Sequence, residues 1–221
     1  MFHDRADAGR QLAERLTEFA NRSDVLVMGL LRGGIPVAYE IAKALHAVLD
    51  LLLIRKLGAP SQPELAIGAI GTGGIRIIDW QLVHHLGLSH SEMERIIALQ
   101  EAELRRREEL YRDVRPEVAV QDHIVIVADD GIATGASMMA AISVLRSQQP
   151  KQLVVAVPVV PKHARKEMER VADKFVCLQV DNIFPAVGAF YRDFSQTEDH
   201  VVRSLLIRSV ESRERNDKQK N

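Results

Sequence analysis

Hydrophobic and polar positions along this chain follow two distinct periods. Short aliphatic runs are separated by longer stretches in which apolar residues recur every three or four positions. The runs are typical of buried strands and the longer stretches of amphipathic helices. Because the two kinds of segment alternate, the pattern predicts an α/β fold with a parallel central sheet flanked by helices. The predicted strands lie at 24–30, 50–56, 123–129, 151–160 and 174–180.

Helices are predicted between the strands, and two of them begin at recognisable caps. Asp4 can cap a first helix that carries an apolar stripe. Ser89 and Glu92 match a capping box, in which each of the two residues satisfies a backbone N–H of the other. A long helix at 89–112 follows that box. Its mixed charges suit pairs spaced four residues apart, so a solvated face is the simplest interpretation.

The composition fits a folded domain without a membrane span. Of 221 residues, 47% are hydrophobic and 27% are charged, which supplies enough apolar material for a large core. The formal net charge of −1 gives no overall electrostatic basis for binding nucleic acid. Cys177 is the single cysteine, which fits a reducing compartment, and no apolar run is long enough for a bilayer. We expect a cytoplasmic protein with one domain at 1–210 and a disordered tail at 211–221.

Two adjacent carboxylates, Asp129 and Asp130, stand where a buried strand meets a glycine-containing turn. Left unpaired there, they would repel each other and lose hydration. The turn at 134–137 opens a helix, whose free N–H groups and dipole favour an anion such as phosphate. A ligand with hydroxyl groups at one end and a phosphate at the other, such as a ribose 5-phosphate, would satisfy both features. The alternative is an ordinary acidic turn followed by a helix cap.

The segment VIVADDGIATGAS at 125–137 resembles the phosphoribosyl pyrophosphate signature of type I phosphoribosyltransferases. The resemblance extends over residues 1–208 and departs at Gly131, where the family usually has an aliphatic residue. It implies that the acidic pair holds the ribose hydroxyls, that the following turn holds the 5-phosphate, and that Mg²⁺ accompanies the substrate. We also expect a homodimer, which the long helix at 89–112 would serve. The residues that would bind ribose 5-phosphate are Asp129, Asp130, Ala133, Thr134, Gly135, Ala136 and Ser137.

Two further segments fit the family's handling of pyrophosphate. In GLLRGGIPVA, Gly33 and Gly34 would let the backbone approach the pyrophosphate, and Arg32 would add a charged contact. In RKLGAPSQPELAIGAI at 55–70, Arg55 and Lys56 open a segment that matches the family's closing loop. This segment runs into a hairpin predicted from the glycines at 71–74. The resemblance thus assigns catalytic roles to Arg32, Arg55 and Lys56, and pyrophosphate binding to Arg32, Gly33, Gly34 and Lys56.

The acceptor would be held by an aromatic-rich segment at 184–196, in a chain with only 5% aromatic residues. This segment loosely resembles the base-binding hood of purine salvage enzymes, although aromatic residues are equally often core. Hypoxanthine-type members carry an acidic residue where this chain has Ala133, so the acceptor stays open. The candidate acceptor contacts are Phe184, Tyr191, Asp193 and Phe194.

The sequence therefore predicts transfer of a 5-phosphoribosyl group from phosphoribosyl pyrophosphate to a nitrogenous acceptor, expected to be a nucleobase. The alternative is a regulator on the same fold that senses phosphoribosyl pyrophosphate or a nucleotide without turnover. A third hypothesis, an unrelated hydrolase that uses Asp129 and Asp130 for a metal, fits the TGxS turn less well. No all-protein metal cage is expected, because Mg²⁺ would be held mainly by the substrate and water.

Overall fold

The structure is a computed structural model. It describes the backbone of residues 1–220 and the side chains of residues 1–63 and 65–212. Its strands fall into two sheets, and helices cover both faces of the larger one. In chain order the strands are β1 (Val25–Leu30), β2 (Val48–Leu52), β3 (Ile54–Ala59), β4 (Gln62–Gly71), β5 (Ile75–Ile78), β6 (Ile124–Ala128), β7 (Gln152–Pro161) and β8 (Lys174–Asp181). The helices are α1 (Arg5–Glu14), α2 (Gly34–Leu45), α3 (Trp80–His85), α4 (His90–Glu109), α5 (Ala136–Ser147), α6 (Lys162–Val171) and α7 (Asp199–Lys220).

The main sheet confirms the predicted α/β fold with a parallel central sheet. Its strand order is β2-β1-β6-β7-β8, and every neighbouring pair is parallel. All residues of β1 and β6 are buried, because helices pack against both faces of these central strands. The carboxyl ends of β1 and β6 lie side by side, with Gly29 opposite Ala128. The loops that follow these two strands therefore meet at one edge of the sheet.

The prediction of one strand over 50–56 is wrong, since the chain changes sheets at Leu53. Strand β2 ends in the parallel sheet at Leu52, and β3 begins an antiparallel sheet of order β3-β4-β5 at Ile54. The two strands form one aliphatic run because the residues on both sides of the junction pack into apolar clusters, Leu51 and Leu53 in one and Leu52 and Ile54 in another. The hairpin predicted around 71–74 is confirmed as the β4–β5 connection.

The antiparallel sheet, with helices α3 and α4, forms a unit that we call the lid unit (residues 54–109). Its own apolar core consists of side chains from both helices and from strands β3 and β4. The capping box of α4 is present: Ser89 Oγ accepts the N–H of Glu92, and Glu92 accepts the N–H of Ser89. The fully buried members of this core are Leu57, Ala59, Ile67, Ile70, Val83, Met93 and Ile97.

Helix α2 ends at Leu45. His46 adopts a left-handed conformation with φ of 54°, which stops the helix. Strand β2 begins two residues later, at Val48.

The end of helix α7 differs from the prediction, because the helix continues through most of the predicted tail to Lys220. Arg, Glu, Gln and Lys dominate this extension and favour helix even without an apolar stripe. Asn221, the last residue of the predicted tail, lies outside the described residues. Over residues 1–220, no helix combines the length and apolar character that crossing a bilayer requires.

The N-terminal residues are fastened to the segment between β8 and α7. Phe2 donates its N–H to the Phe190 carbonyl at 2.8 Å, and the Arg192 N–H donates to the Phe2 carbonyl at 2.9 Å. Asp4 caps α1 as predicted, accepting the N–H of Asp7 at 2.7 Å. These contacts fix the start of α1 beside the carboxyl edge of the main sheet.

Candidate functional site

The predicted phosphate and pyrophosphate loops meet at the acidic pair. A Cβ atom added at Gly33 would overlap the carboxylate of Asp130, and one added at Gly34 would lie 2.5 Å from the Ala128 carbonyl oxygen. Glycine is needed at both positions because the loop after β1 presses its backbone against the end of β6. The structure thus brings together Gly33, Gly34, Asp129 and Asp130, which the sequence separates by almost a hundred residues.

Arg5 contacts the acidic pair, and the sequence analysis missed it. Arg5 Nε donates to Asp130 Oδ2 at 2.7 Å, in a pair whose side chains are only 11% and 15% exposed. The same guanidinium donates to the Ser195 carbonyl at 2.7 Å and lies 3.9 Å from the centre of the Phe194 ring. Arg5 therefore compensates the charge of Asp130. Arg5 is the first residue of α1, and the residues around it in the sequence do not indicate a contact with the acidic pair.

Asp129 is the less compensated of the two carboxylates. Burial raises the pKa of Asp129 well above its ordinary value, and repulsion from Asp130 adds to the rise. Burial also raises the pKa of Asp130, but the hydrogen bond from Arg5 opposes that rise. Asp129 Oδ1 accepts the backbone N–H of Asp130 at 2.9 Å. Positive charge or hydroxyl donors from a ligand would stabilise the ionised form of Asp129.

The turn after the acidic pair forms a cavity of about 180 Å³ at the start of α5. Gly135 precedes the helix with φ of +85°, a conformation that glycine adopts without strain. The hydroxyl-bearing residues Thr134 and Ser137 are exposed at the cavity. The free N–H groups of the first helical turn add to these hydroxyls as donors for an anion. The cavity is lined by Asp129, Gly131, Ile132, Ala133, Thr134, Gly135, Ser137, Met138 and Val187.

Gly131, the position that departs from the family pattern, has a structural explanation. A Cβ atom there would lie 2.6 Å from Val187 Cγ1 and 2.7 Å from Val159 Cγ2. The valine from the segment before α7 therefore occupies the space that an aliphatic residue would fill at position 131. Sequence analysis could not find this exchange, because Val187 is distant in the chain.

A second cavity, of about 130 Å³, surrounds Arg32. Arg32 lies 3.4 Å from Asp199 Oδ1, which also accepts the Tyr111 hydroxyl at 2.5 Å. Burial and the hydrogen bond to Asp199 raise the pKa of Tyr111. Helix α4 contributes two more arginines that the sequence analysis assigned to a solvated face. The lining residues are Leu31, Arg32, Arg106, Arg107, Leu110, Tyr111 and Asp199.

A third cavity, also of about 130 Å³, lies between the first two along the sheet edge. It shares Asp129 and Ser137 with the cavity at α5, and Leu31 and Arg107 with the cavity at Arg32. The three cavities thus form one groove, with hydroxyl and N–H donors at one end and arginines at the other. We call it the edge groove.

Arg55 and Lys56 lie on β3 and line none of the three cavities. Strand alternation places their side chains on opposite faces of the lid sheet. Arg55 faces α4, where its Nε donates to Gln100 Oε1 at 2.8 Å. Burial, followed by repulsion from Arg107, lowers the pKa of Arg55. A joint action of Arg55 and Lys56 on the pyrophosphate stays a prediction.

The four candidate acceptor residues occupy different environments. Tyr191 is buried, and its hydroxyl donates to the Asp130 carbonyl at 2.6 Å, so it forms part of the floor beneath the acidic pair. Phe184 packs on Phe190, with ring centres 5.0 Å apart. Phe194 is 36% exposed and stacks with Arg5. Asp193 is exposed and accepts the Ser195 N–H at 2.9 Å.

Comparison with known proteins identifies the family of this chain. A model of the phosphoribosyl transferase domain matches residues 2–194. The chain belongs to the phosphoribosyl transferase family. A Mycobacterium tuberculosis protein named "Putative phosphoribosyl transferase" is 44% identical over 209 residues, which cover 95% of this chain and 47% of that protein. The chain thus spans about half the length of the curated relatives it matches.

Two solved structures share the fold of this chain. The crystal structure of TT1426 from Thermus thermophilus has a TM-score of 0.86 and 42% sequence identity, covering 94% of this chain and 98% of that one. The AQ2163 protein from Aquifex aeolicus shares the fold, with a TM-score of 0.50 and 11% identity over 80% of this chain and 74% of that one.

The resemblance implies Mg²⁺ with the substrate, and Asp129 and Asp130 are the candidate residues beside it. In the described part of the chain, no group of three or more His, Cys, Asp or Glu side chains is placed to hold a metal ion. Asp129 and Asp130 nevertheless provide carboxylate oxygens, which Mg²⁺ favours as ligands. Because Asp129 is buried, a nearby cation would stabilise its ionised form. These residues fit an ion that is held mainly by a substrate.

Proposed function

We propose that this phosphoribosyl transferase transfers a 5-phosphoribosyl group from phosphoribosyl pyrophosphate to a nitrogenous acceptor and releases pyrophosphate. The supporting observation is the edge groove, in which Asp129 lies between an anion cradle and an arginine cluster, with Asp130 next to it in the chain. Phosphoribosyl pyrophosphate has the matching order of groups: a 5-phosphate, two ribose hydroxyls and a pyrophosphate on C1. A nucleobase is the proposed acceptor.

Each part of the groove has a role in binding this substrate. Thr134, Ser137 and the N–H groups of the first turn of α5 hold the 5-phosphate. Asp129 and Asp130 accept hydrogen bonds from the ribose hydroxyls and orient the sugar. Arg32 and the backbone of the loop after β1 receive the pyrophosphate. Such a site accelerates the reaction by positioning and by electrostatic stabilisation.

In the reaction, the bond from C1 to the pyrophosphate oxygen breaks, and the oxygen keeps the electron pair. The acceptor nitrogen supplies its lone pair to C1, and its proton passes to water or to the departing pyrophosphate. Mg²⁺, held beside Asp129 and Asp130 by the oxygens of the substrate, would supply positive charge to the leaving group. The lid unit limits the access of water, which would otherwise hydrolyse the sugar centre.

The test is the release of pyrophosphate from phosphoribosyl pyrophosphate and Mg²⁺, measured with a panel of purine and pyrimidine bases and without acceptor. We expect release that depends on one base. Thr134→Val removes a hydroxyl donor to the 5-phosphate and should raise the KM for phosphoribosyl pyrophosphate about tenfold or more. Ser143→Ala on the same helix is the control, since the Ser143 hydroxyl bonds to the Met139 carbonyl within the helix.

A sensor that binds phosphoribosyl pyrophosphate without turnover is the competing function. It predicts binding to the wild-type protein, weakened by Thr134→Val, but no release of pyrophosphate with any base. Calorimetry on the same protein samples separates this outcome from a simple failure to bind.

A further inference from the structure

Arg107 occupies an unusual position on α4. The residues of this helix that face inward follow a spacing of three and four, through Met93, Ile97, Gln100 and Leu104, and the next position in that series is Arg107. An arginine thus stands where the pattern calls for an apolar residue. The Arg107 side chain is half-buried, at 35% exposure, and a cation at such a position is stabilised by a carboxylate or by a ligand.

The inward position places the Arg107 guanidinium at the edge groove. Arg107 lines both the cavity around Arg32 and the cavity that contains Asp129 and Ser137. Its Nε donates to Glu103 Oε1 at 2.8 Å, one helical turn back, and this contact aims the side chain along the helix. Leu31, next to Arg32 in the loop after β1, lines the same two cavities. The helix of the lid unit therefore contributes directly to the groove.

Guanidinium groups outnumber carboxylates around Arg107, which favours the binding of an anion. The guanidinium groups of Arg32, Arg55, Arg106 and Arg107 are gathered here. The carboxylates nearby are Glu103, shared by Arg106 and Arg107, Asp199, which pairs with Arg32, and Asp129, which lines one cavity with Arg107. Arg55 is paired with a neutral amide, and repulsion from Arg107 contributes to its lowered pKa. An anion with more than one negative charge would remove this repulsion.

We propose that Arg107 is a substrate-contacting residue that, together with Arg32, receives the pyrophosphate of phosphoribosyl pyrophosphate. This inference rests on the proposed function, which supplies the ligand. As the C1–O bond breaks, negative charge accumulates on the departing oxygen, and the planar guanidinium can donate two parallel hydrogen bonds to the leaving group. Since Arg107 belongs to the lid unit, binding of pyrophosphate also holds that unit against the main sheet.

The test compares Arg107→Gln with Arg105→Gln. Arg105 is exposed on the same helix, two residues away. Binding of two probes, inorganic pyrophosphate with Mg²⁺ and ribose 5-phosphate, is measured by calorimetry. We expect Arg107→Gln to weaken the binding of pyrophosphate about tenfold or more, as for the loss of a charged hydrogen bond, and to leave ribose 5-phosphate unchanged. Arg105→Gln should bind both probes like the wild type.

Arg107→Lys serves as a second variant. Lysine keeps the positive charge but cannot donate two parallel hydrogen bonds, so Arg107→Lys should bind pyrophosphate more tightly than Arg107→Gln and less tightly than the wild type. Unchanged pyrophosphate affinity in Arg107→Gln would overturn the inference, as would an equal loss for both probes, which would indicate general damage to the groove. If the wild-type protein binds pyrophosphate through Arg107 but releases none from phosphoribosyl pyrophosphate, the proposed transfer fails while the assignment of Arg107 stands.

Discussion

At the scale of single residues, the site depends on how two adjacent carboxylates are kept beside a hydrophobic sheet. Asp130 is compensated by Arg5, whose guanidinium is in turn fixed by the Ser195 carbonyl and the Phe194 ring. Burial raises the pKa of both carboxylates, but Asp129 lacks the direct hydrogen bond from Arg5 that opposes the rise at Asp130. More of the cost of burial is therefore left at Asp129 for a ligand to relieve.

Replacement of Arg5 by glutamine should destabilise the protein and weaken the binding of phosphoribosyl pyrophosphate. Removing one partner of a buried pair leaves the other charge uncompensated, which costs about 3 kcal/mol. Chemical denaturation measures this loss. Arg10→Gln is the control, because Arg10 is on the same helix and 56% exposed. The double variant Arg5→Gln/Asp130→Asn should regain part of the stability, and a failure to regain any would contradict the pairing.

Replacement of Asp129 by asparagine should stabilise the ligand-free protein. Because the pKa of Asp129 is raised in the folded state, its ionisation costs the most stability above that pKa; the cost shrinks as the pH falls through that pKa and is gone below the ordinary pKa of 3.8. At about pH 8 the variant should gain about 0.5–2 kcal/mol in the free energy of unfolding, as for other relieved functional sites. The gain should shrink as the pH is lowered.

Asp193→Asn provides a control of opposite sign for this pH dependence. Hydrogen bonds from Ser195 lower the pKa of Asp193, so this carboxylate contributes stability above its ordinary pKa of 3.8 and loses it at lower pH. The variant should therefore be less stable than the wild type near neutral pH. A pH-independent effect of Asp129→Asn would show that its carboxylate is not desolvated.

Sequence could identify the acidic pair and the anion cradle because their residues are consecutive between 125 and 137. Arg5 could not be found in this way, since it approaches Asp130 only after α1 is fastened to the segment before α7. Arg107 did leave a signal, as an arginine in the inward series of α4. That signal competes with the charge pattern of the whole helix, which favours a solvated face.

At the scale of elements, the loops of the site pack closely against one another because glycines, which have no side chain, lie at their points of contact. Gly33 and Gly34 let the loop after β1 touch the end of β6, while Gly131 leaves room for Val187. Sequence predicted that these glycines mattered but not against what they pack. The sequence also predicted β2 and β3 as a single strand, because a continuous aliphatic run does not show that the chain passes to another sheet.

Gly131→Val should displace the segment that contains Val187. The new side chain would overlap Val187 and Val159, and overpacking of this kind costs about 1–3 kcal/mol. Since Val187 lines the cavity at α5, affinity for ribose 5-phosphate should also fall. Denaturation and calorimetry measure the two effects. The double variant Gly131→Val/Val187→Ala should recover part of both losses, since the overlap with Val159 persists, and additive losses would show that residues 131 and 187 do not share one space.

At the scale of the whole molecule, the main sheet and the lid unit both contribute residues to the edge groove. The main sheet supplies the acidic pair and the phosphate cradle, and the lid unit supplies Arg107 from a helix with its own core. A ligand that spans the groove touches both units. Its binding energy should therefore appear as added stability of the folded chain and as tighter coupling between the units.

Thermal unfolding with and without phosphoribosyl pyrophosphate and Mg²⁺ tests this coupling. At a ligand concentration about one hundred times the Kd, binding contributes about 2.7 kcal/mol. For a chain of this size that corresponds to a rise in Tm of roughly 5–10 °C. Ribose 5-phosphate, which reaches only the main sheet, should stabilise that sheet without protecting the lid unit from hydrogen exchange. Asp130→Asn should reduce the rise with the full substrate, and an undiminished rise in this variant would place the ligand elsewhere on the protein.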